Sequence, residues 1–256
     1  LPDEGTGAVY RLFGKVEQLS LSLRAKGEAE RRAKDFLKDM ISDISHQLKT
    51  PLAALGMYME IMEEEIENPE MMKTFLQKSV CSLERMEQLI QALLKMARLD
   101  TGGIVFEKRH CFASEITAQA TEELLQRAGR EEKKIVMDGA PDEQVFCDAA
   151  WTKEAVENLV KNALDHTEAG GTIRIGWSHS PALFRLTVED DGCGIAPEDI
   201  HHIFKRFYRS QSSRDRQGAG LGLSLAKAIV EGQGGMLSVE SAPGKGSIFR
   251  ASFPTA

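Results

Sequence analysis

The sequence predicts a helical hairpin followed by an α+β two-layer sandwich, on three observations. Apolar residues recur at three- and four-residue steps through most of the first hundred positions, the pattern of helices that bury one stripe. Gly102-Gly103 then breaks that pattern. Beyond it, β-rich runs joined by hairpin signals alternate with single helical stretches, the order of a sheet covered by helices.

Residues 1–9 carry two glycines, a proline and two acids and read as an irregular terminus. A heptad-like seam follows at Leu12, Val16, Leu19 and Leu23, then at Ala33, Leu37, Met40 and Ile44. Lys26 and Glu30 interrupt it, either as a solvated turn or as a weak point in a signalling coiled coil. Ile41, Ile44, Leu48, Leu52 and Leu55 carry a seam onward, and Pro51, which lacks a backbone donor, is expected to bend the helix there. Met59, Met62 and Ile66 lead to a turn at Glu67-Asn68-Pro69. A second seam runs through Met72, Phe75, Leu76, Val80, Leu83, Met86, Ile90, Leu93 and Ala97. Such an αα-hairpin leaves an apolar stripe that two copies would bury as a four-helix bundle, so a homodimer is expected.

The second part reads as a short strand at Ile104–Phe106, a helix from Ser114 to Gly129 capped by Ser114, and a strand at Lys134–Met137. A helix at Ala150–Asp165 follows. Thr172–Trp177 and Leu183–Glu189 form a hairpin around His179-Ser180-Pro181, Leu221–Gly232 a helix, and Met236–Ser241 with Ser247–Phe253 a last strand pair around Pro243-Gly244-Lys245-Gly246. The expected organisation is a signal-transmitting linker or coiled-coil helix at 1–35, a dimerisation domain at 36–102 and a second domain at 103–256.

Composition removes several functions. A formal charge of −7 argues against a nucleic-acid groove, which needs a basic face. Cys81, Cys111, Cys147 and Cys193 have no metal-ligand spacing and read as reduced thiols of a cytoplasmic compartment. No run of about 18 apolar residues exists to span a membrane. The chain begins at Leu1 rather than Met, which suggests a fragment whose upstream part held a membrane-embedded sensor.

His46 lies about 200° around its helix from both Ile44 and Leu48 and so faces away from the apolar seam. Thr50 sits one turn on, on the same face. A lone surface histidine is ordinarily a solvated residue with no role; its neighbours here say otherwise. Asp43-Ile44-Ser45-His46-Gln47-Leu48-Lys49-Thr50-Pro51-Leu52, with Phe36, Leu37 and Met40 before it, resembles the histidine box of the sensor histidine kinases of two-component systems. Asn158-Leu159-Val160-Lys161-Asn162-Ala163-Leu164 resembles their asparagine box, and Asp190-Asp191-Gly192-Cys193-Gly194-Ile195 the first glycine box. Phe204-Lys205-Arg206-Phe207-Tyr208-Arg209 is similar to the phenylalanine box, and Gly218-Ala219-Gly220-Leu221-Gly222-Leu223 to the second glycine box. Each match alone is weak; five in family order over roughly residues 36–256 are specific.

The resemblance implies the two-layer ATPase fold shared by histidine kinases and gyrase, ATP and Mg2+ as cofactors, and a response regulator receiver domain as partner. Asn158 and Asn162, at i and i+4, can turn both amides to one pocket, with Asn162 the metal candidate through its hard amide oxygen. A pair of asparagines satisfying backbone groups would also explain them. Asp190 can accept from the exocyclic amine of adenine while Gly192 and Gly194 let the backbone approach the ring, although an Asp-Gly turn accounts for the same letters. Gly218, Gly220, Leu221 and Gly222 open a helix whose first N–H groups can meet a polyphosphate. Between Ile200 and Gly218, Lys205, Arg206, Arg209, Arg214 and Arg216 look like the nucleotide lid, with Phe204 and Phe207 as its anchors.

The family commonly has an acid after the histidine, where this chain has Gln47, and a lysine where it has Asp165, followed by His166 at a usually aromatic position. The expected function is ATP-dependent autophosphorylation on His46 and transfer to an aspartate of a response regulator. The alternatives are a regulator phosphatase in which Thr50 orients a water, and a non-catalytic nucleotide-sensing dimerisation module.

Overall fold

The computed structural model describes residues 27, 31, 38, 41, 42, 44–64, 68–210 and 220–255. The seam from Leu12 to Met40, Arg214, Arg216 and Gly218 lie outside the described residues. The chain divides into two compact units, Leu1–Glu84 and Arg85–Ala256.

In the first unit, helix α1 (44–64) continues through Pro51 without interruption. Helix α2 (Pro69–Asp100) starts with proline at its first position, where the missing N–H is not needed. The Asn68 Oδ1 accepts from the Met71 N–H at 3.2 Å, capping the helix as the Asn-Pro pair suggests. Tyr58 of α1 and Phe75 of α2 meet with ring centroids 5.7 Å apart. Ile41, Leu52 and Leu76 remain 61%, 59% and 57% exposed in the single chain, an apolar stripe without cover.

The second unit begins within α2, where Leu89, Leu93 and Met96 are buried. The helix stops at Gly102, whose φ of +64° lets the Gly103 N–H return to the Arg98 carbonyl at 3.1 Å. Lys95 pairs with Glu154 at 2.5 Å, and Arg206 places one nitrogen 2.7 and 2.6 Å from the two Asp100 oxygens.

The strand expected at Ile104–Phe106 is not one. Val105 is 89% exposed, Phe106 packs edge-on against Trp151 at 6.1 Å, and the next N–H, of Glu107, goes to the Asp148 carboxylate rather than to a neighbouring strand. The first strand is β1 (Arg109–Phe112), antiparallel to β3 (Gln144–Cys147). Helix α3 (Ala113–Arg130) has Phe112 at its N-cap; Ser114, expected as the cap, donates instead to the Pro141 carbonyl at 2.9 Å.

The main sheet has the order β2-β4-β5-β7-β6, formed by Lys134–Asp138, Thr172–His179, Leu183–Asp190, Ser247–Pro254 and Met236–Ser241 respectively. β2 runs parallel to β4 and the other pairs are antiparallel. Helices α3, α4 (Ala149–His166) and α6 (Gly222–Gly232) form one layer, with α4 in contact with both others and with the sheet. A short α5 (Pro197–Ile200) follows β5. Leu159, Val160, Ala163 and Leu164 of α4 meet a sheet core of Ile173, Ile175, Val188 and Phe249, all at 0% exposure. Burial of each large apolar side chain there contributes about 1.5–3 kcal/mol.

Candidate functional site

The pleat of β5 sends Phe184, Leu186 and Val188 into the core, and by the same two-residue period it sends Asp190 inward. The carboxyl is therefore 3% exposed at the end of a central strand. Its Oδ1 accepts from the Gly192 N–H at 3.0 Å, while its Oδ2 is buried with no hydrogen-bond partner among the described residues. Burial pushes its pKa up to about 6, against the pull of the Gly192 and Ser247 backbone N–H groups and with a smaller push from Asp191 and Glu189. A buried acceptor left unused costs free energy that a donor on a ligand can recover.

The glycine turn after Asp190 lies against the last residue of α4. A Cβ on Gly192 would stand 2.2 Å from the His166 carbonyl oxygen, which also accepts from the Cys193 N–H at 3.2 Å. Only a residue without a side chain allows this approach. Ser241 ties the turn to the β6–β7 loop: its Oγ accepts from the Ile195 N–H at 2.8 Å and donates to the Gly246 carbonyl at 2.7 Å.

Helix α4 is fixed at its start by Asp148, whose Oδ1 accepts from the Ala150 and Trp151 N–H groups at 3.1 and 3.2 Å. Asn158, Asn162 and His166 follow at four-residue steps, but the two asparagines are used differently. Asn162, His166, Arg209 and Gly194 line a common cavity with Tyr208 and Ser247. Asn158 donates to the Glu154 carbonyl at 2.8 Å and holds its Oδ1 where a Cβ on Gly222 would come within 2.9 Å. Leu221 is buried at the N-cap of α6, so only its backbone could meet a ligand. Gly220, at φ +70°, accepts from the Phe207 N–H at 2.9 Å, and Phe207 itself has φ +58°. Phe204 stacks edge-on to Phe249, its centroid 6.4 Å away.

Asp165, at the family's lysine position, accepts from Arg127 at 2.6 Å in a charged cluster with Glu131 and Lys133. Among the basic side chains of the described residues, Arg209 is the one that lines the Asn162 cavity. Sequence reasoning missed Ser241, Ser247, Tyr208 and Asp199, of which the last two share a 2.5 Å hydrogen bond at the cavity wall. The serines flanking Pro243-Gly244-Lys245-Gly246 were the available signal.

In the first unit, His46 and Thr50 are exposed on α1, Gln47 lies partly covered between them, and Ile44 and Leu48 are partly covered. The polar face thus lies where the helical period puts it.

The described residues thus comprise a helical hairpin bearing an exposed histidine and a mixed-sheet sandwich with a buried acid under a glycine turn. Residues 36–102 match the His Kinase A (phospho-acceptor) domain, and residues 147–256 the histidine kinase-, DNA gyrase B- and HSP90-like ATPase family. The chain belongs to the sensor histidine kinases of two-component systems. It is 31% identical to the phosphate regulon sensor protein PhoR of Pseudomonas aeruginosa over 96% of this chain and 56% of that protein. It is 35% identical to the sensor histidine kinase RppB of Synechocystis over 83% of this chain and 48% of that protein. The chain thus spans about half the length of the curated relatives it matches. Full-length ShkA with bound AMPPNP is similar in structure, with a TM-score of 0.64 and 25% identity over 86% of this chain and 46% of that one. ThkA in complex with the response regulator TrrA shares the fold at a TM-score of 0.74 and 21% identity, over 88% of this chain and 64% of that one.

Proposed function

We propose that the chain phosphorylates itself on His46 from Mg·ATP held beside Asp190 and Asn162, and passes the phosphoryl group to an aspartate of a response regulator receiver domain. The observation that carries this reading is the buried, unpartnered Asp190 Oδ2, an acceptor suited to an exocyclic amine, beneath a turn too close for any side chain. The Asn162 amide is a hard oxygen donor that suits magnesium, whose chemistry when bound is to neutralise phosphate charge. Arg209 places a further cation at the same cavity, the role that Asp165 cannot fill. His46 acts through the lone pair of a neutral imidazole, so no general base need remove a proton before attack, and the rest is positioning and charge neutralisation. The uncovered apolar stripe of the hairpin supports a homodimer. The relatives are named as sensors and are longer than this chain, which fits our reading of it as part of a larger sensor protein.

In a test with γ-labelled ATP, acid-labile and base-stable label on the protein supports the kinase. Label lost only from phosphorylated regulator supports a phosphatase, and neither result supports a nucleotide-sensing module. His46→Gln is expected to abolish label while leaving ATP affinity within about twofold, since the nucleophile and the pocket belong to separate units; loss of affinity by calorimetry counts against that division.

The regulator-phosphatase reading rests on Thr50, exposed one turn from His46. Thr50→Ala is expected to keep autophosphorylation and slow dephosphorylation of the regulator by roughly tenfold, because the hydroxyl orients a water but takes no part in the forward attack. Equal phosphatase rates in both proteins remove Thr50 from the mechanism.

Gln47 stands where the family commonly places an acid. As phosphorus bonds to one imidazole nitrogen, the N–H on the other acidifies, and a carboxylate can hold or take that proton where an amide oxygen only accepts a hydrogen bond. Charge-assisted bonds are roughly twice as strong, worth about tenfold in rate. Gln47→Glu is therefore expected to raise the single-turnover rate at saturating ATP by about that factor. A slower variant would assign Gln47 to orienting the ring through its N–H2 group.

A further inference from the structure

Cys111 and Cys147 sit on the two strands of the small sheet that precedes α4. The register pairs Cys111 with Val145 and Arg109 with Cys147, so the two cysteines are diagonal neighbours on one face. The Cys111 thiol lies 3.5 Å from the Arg109 carbonyl oxygen of its own strand and 3.9 Å from the Cys147 carbonyl oxygen across the ladder. Cys111 is half-buried and reachable from solvent, while Cys147 is 0% exposed.

We propose that Cys111 and Cys147 are an oxidisable dithiol whose disulfide weakens nucleotide binding through the cap of α4. The oxidant is a peroxide. The Cys111 sulfur attacks one peroxide oxygen, the O–O bond breaks, and the leaving hydroxide takes the thiol proton as water, leaving a sulfenic acid. The Cys147 sulfur then attacks the Cys111 sulfur; an S–S bond forms, the S–O bond breaks, and the hydroxyl departs with the Cys147 proton as a second water. Two thiols lose two electrons and one peroxide gains them. Burial pushes the Cys147 thiol up to about 12, which makes Cys111 the first to react.

The coupling follows from position. Diagonal neighbours on a ladder stand about 7–8 Å apart at Cα, and a disulfide spans about 4.4–6.8 Å, so closing the bond draws the end of β3 toward β1. The residue after Cys147 is Asp148, which caps α4, accepts from the Glu107 N–H at 2.9 Å and donates its own N–H to Gln233 at 2.7 Å. Displacing Asp148 loosens the helix that carries Asn162 and His166.

The test uses the full chain, reduced and then treated with hydrogen peroxide, followed by non-reducing peptide mapping and calorimetric titration with ATP. The expected result is a Cys111–Cys147 linked peptide with about three- to tenfold weaker ATP affinity, restored by dithiothreitol. Cys111→Ser should show neither, although it retains Cys193, whose thiol lies 3.8 Å from His166. An unlinked Cys111 in oxidised protein, a linked peptide without an affinity change, or an affinity loss that persists in Cys111→Ser each overturns the proposal. The bond stands apart from the nucleotide reading and the affinity change rests on it: a reduced protein that fails to bind ATP contradicts that reading, while the peptide map still decides the bond.

Discussion

Asp190→Ala is expected to weaken ATP binding by about 30-fold or more at pH 8 while leaving the helical hairpin folded. A hydrogen bond to a charged acceptor is worth about 1.5–3 kcal/mol, and a buried site concentrates that preference. The same carboxyl sets a pH dependence. Its free-state pKa of about 6 means that wild-type affinity should fall as pH drops through that value, because protonation replaces a charged acceptor by a neutral acid that accepts more weakly and carries a competing O–H donor. Stability moves the other way. The folded pKa lies above the ordinary value of 3.8, so the native state binds the proton more readily than the unfolded chain. Ionisation therefore costs stability in full above about pH 6, by roughly 3 kcal/mol at most, and wild type gains on the alanine variant as pH falls from 6 toward 4. Affinity by calorimetry and melting temperature at pH 5 and 7.5 check both signs. A difference in melting temperature that does not change with pH would remove the buried carboxylate from the account.

Gly246→Ala is expected to be the most damaging single methyl group in the ATPase-type unit. Its Cβ would stand 1.8 Å from the Asp190 carbonyl oxygen and 2.7 Å from the carbonyl carbon, and the residue sits at φ +73°. Neither neighbour can yield, since Asp190 is paired across the sheet with Ile173 and Ser247. A cost above about 4 kcal/mol and a fall of more than about 10 °C in melting temperature are expected, with loss of nucleotide binding. Gly244→Ala is the control: the same φ of +73° with nothing within 4 Å of the added carbon, and an expected cost near 1 kcal/mol. Equal melting temperatures for the two variants would mean that the close approach at Asp190 is not what fixes this turn.

The long elements were legible because an apolar face repeats with the period of its element, although in the single chain Leu76, Val80, Leu83 and Ile90 of the α2 stripe are exposed while Leu89 and Met96, outside that stripe, are buried. The stripe from Met72 to Ala97 marks α2, and alternation marks β5 so clearly that the inward direction of Asp190 could have been read from Leu186 and Val188. Short elements were not. β1 and β3 have four residues each, and Ile104–Phe106 looked more like a strand than either, yet its apolar side chains serve Trp151 and solvent. Ser114 illustrates a second limit: a good capping residue was claimed by the Pro141 carbonyl, a partner 27 positions away. The site divides in the same way. Residues in contiguous runs, such as Asn162 and Gly192, announce themselves, whereas Ser241 gains its role from Ile195, 46 positions earlier, and Asn158 loses part of its expected one to Glu154 and Gly222.

The measurement that bears most directly on the central claim is the position of the phosphoryl group after incubation with Mg·ATP. Peptide mapping at alkaline pH, which preserves phosphohistidine, should place it on His46 in wild type, with no label in Asp190→Ala or Asn162→Ala at matched time. Label on another residue, or undiminished label in either variant, would contradict the assignment of His46 as acceptor and of the Asp190 and Asn162 region as the donor site.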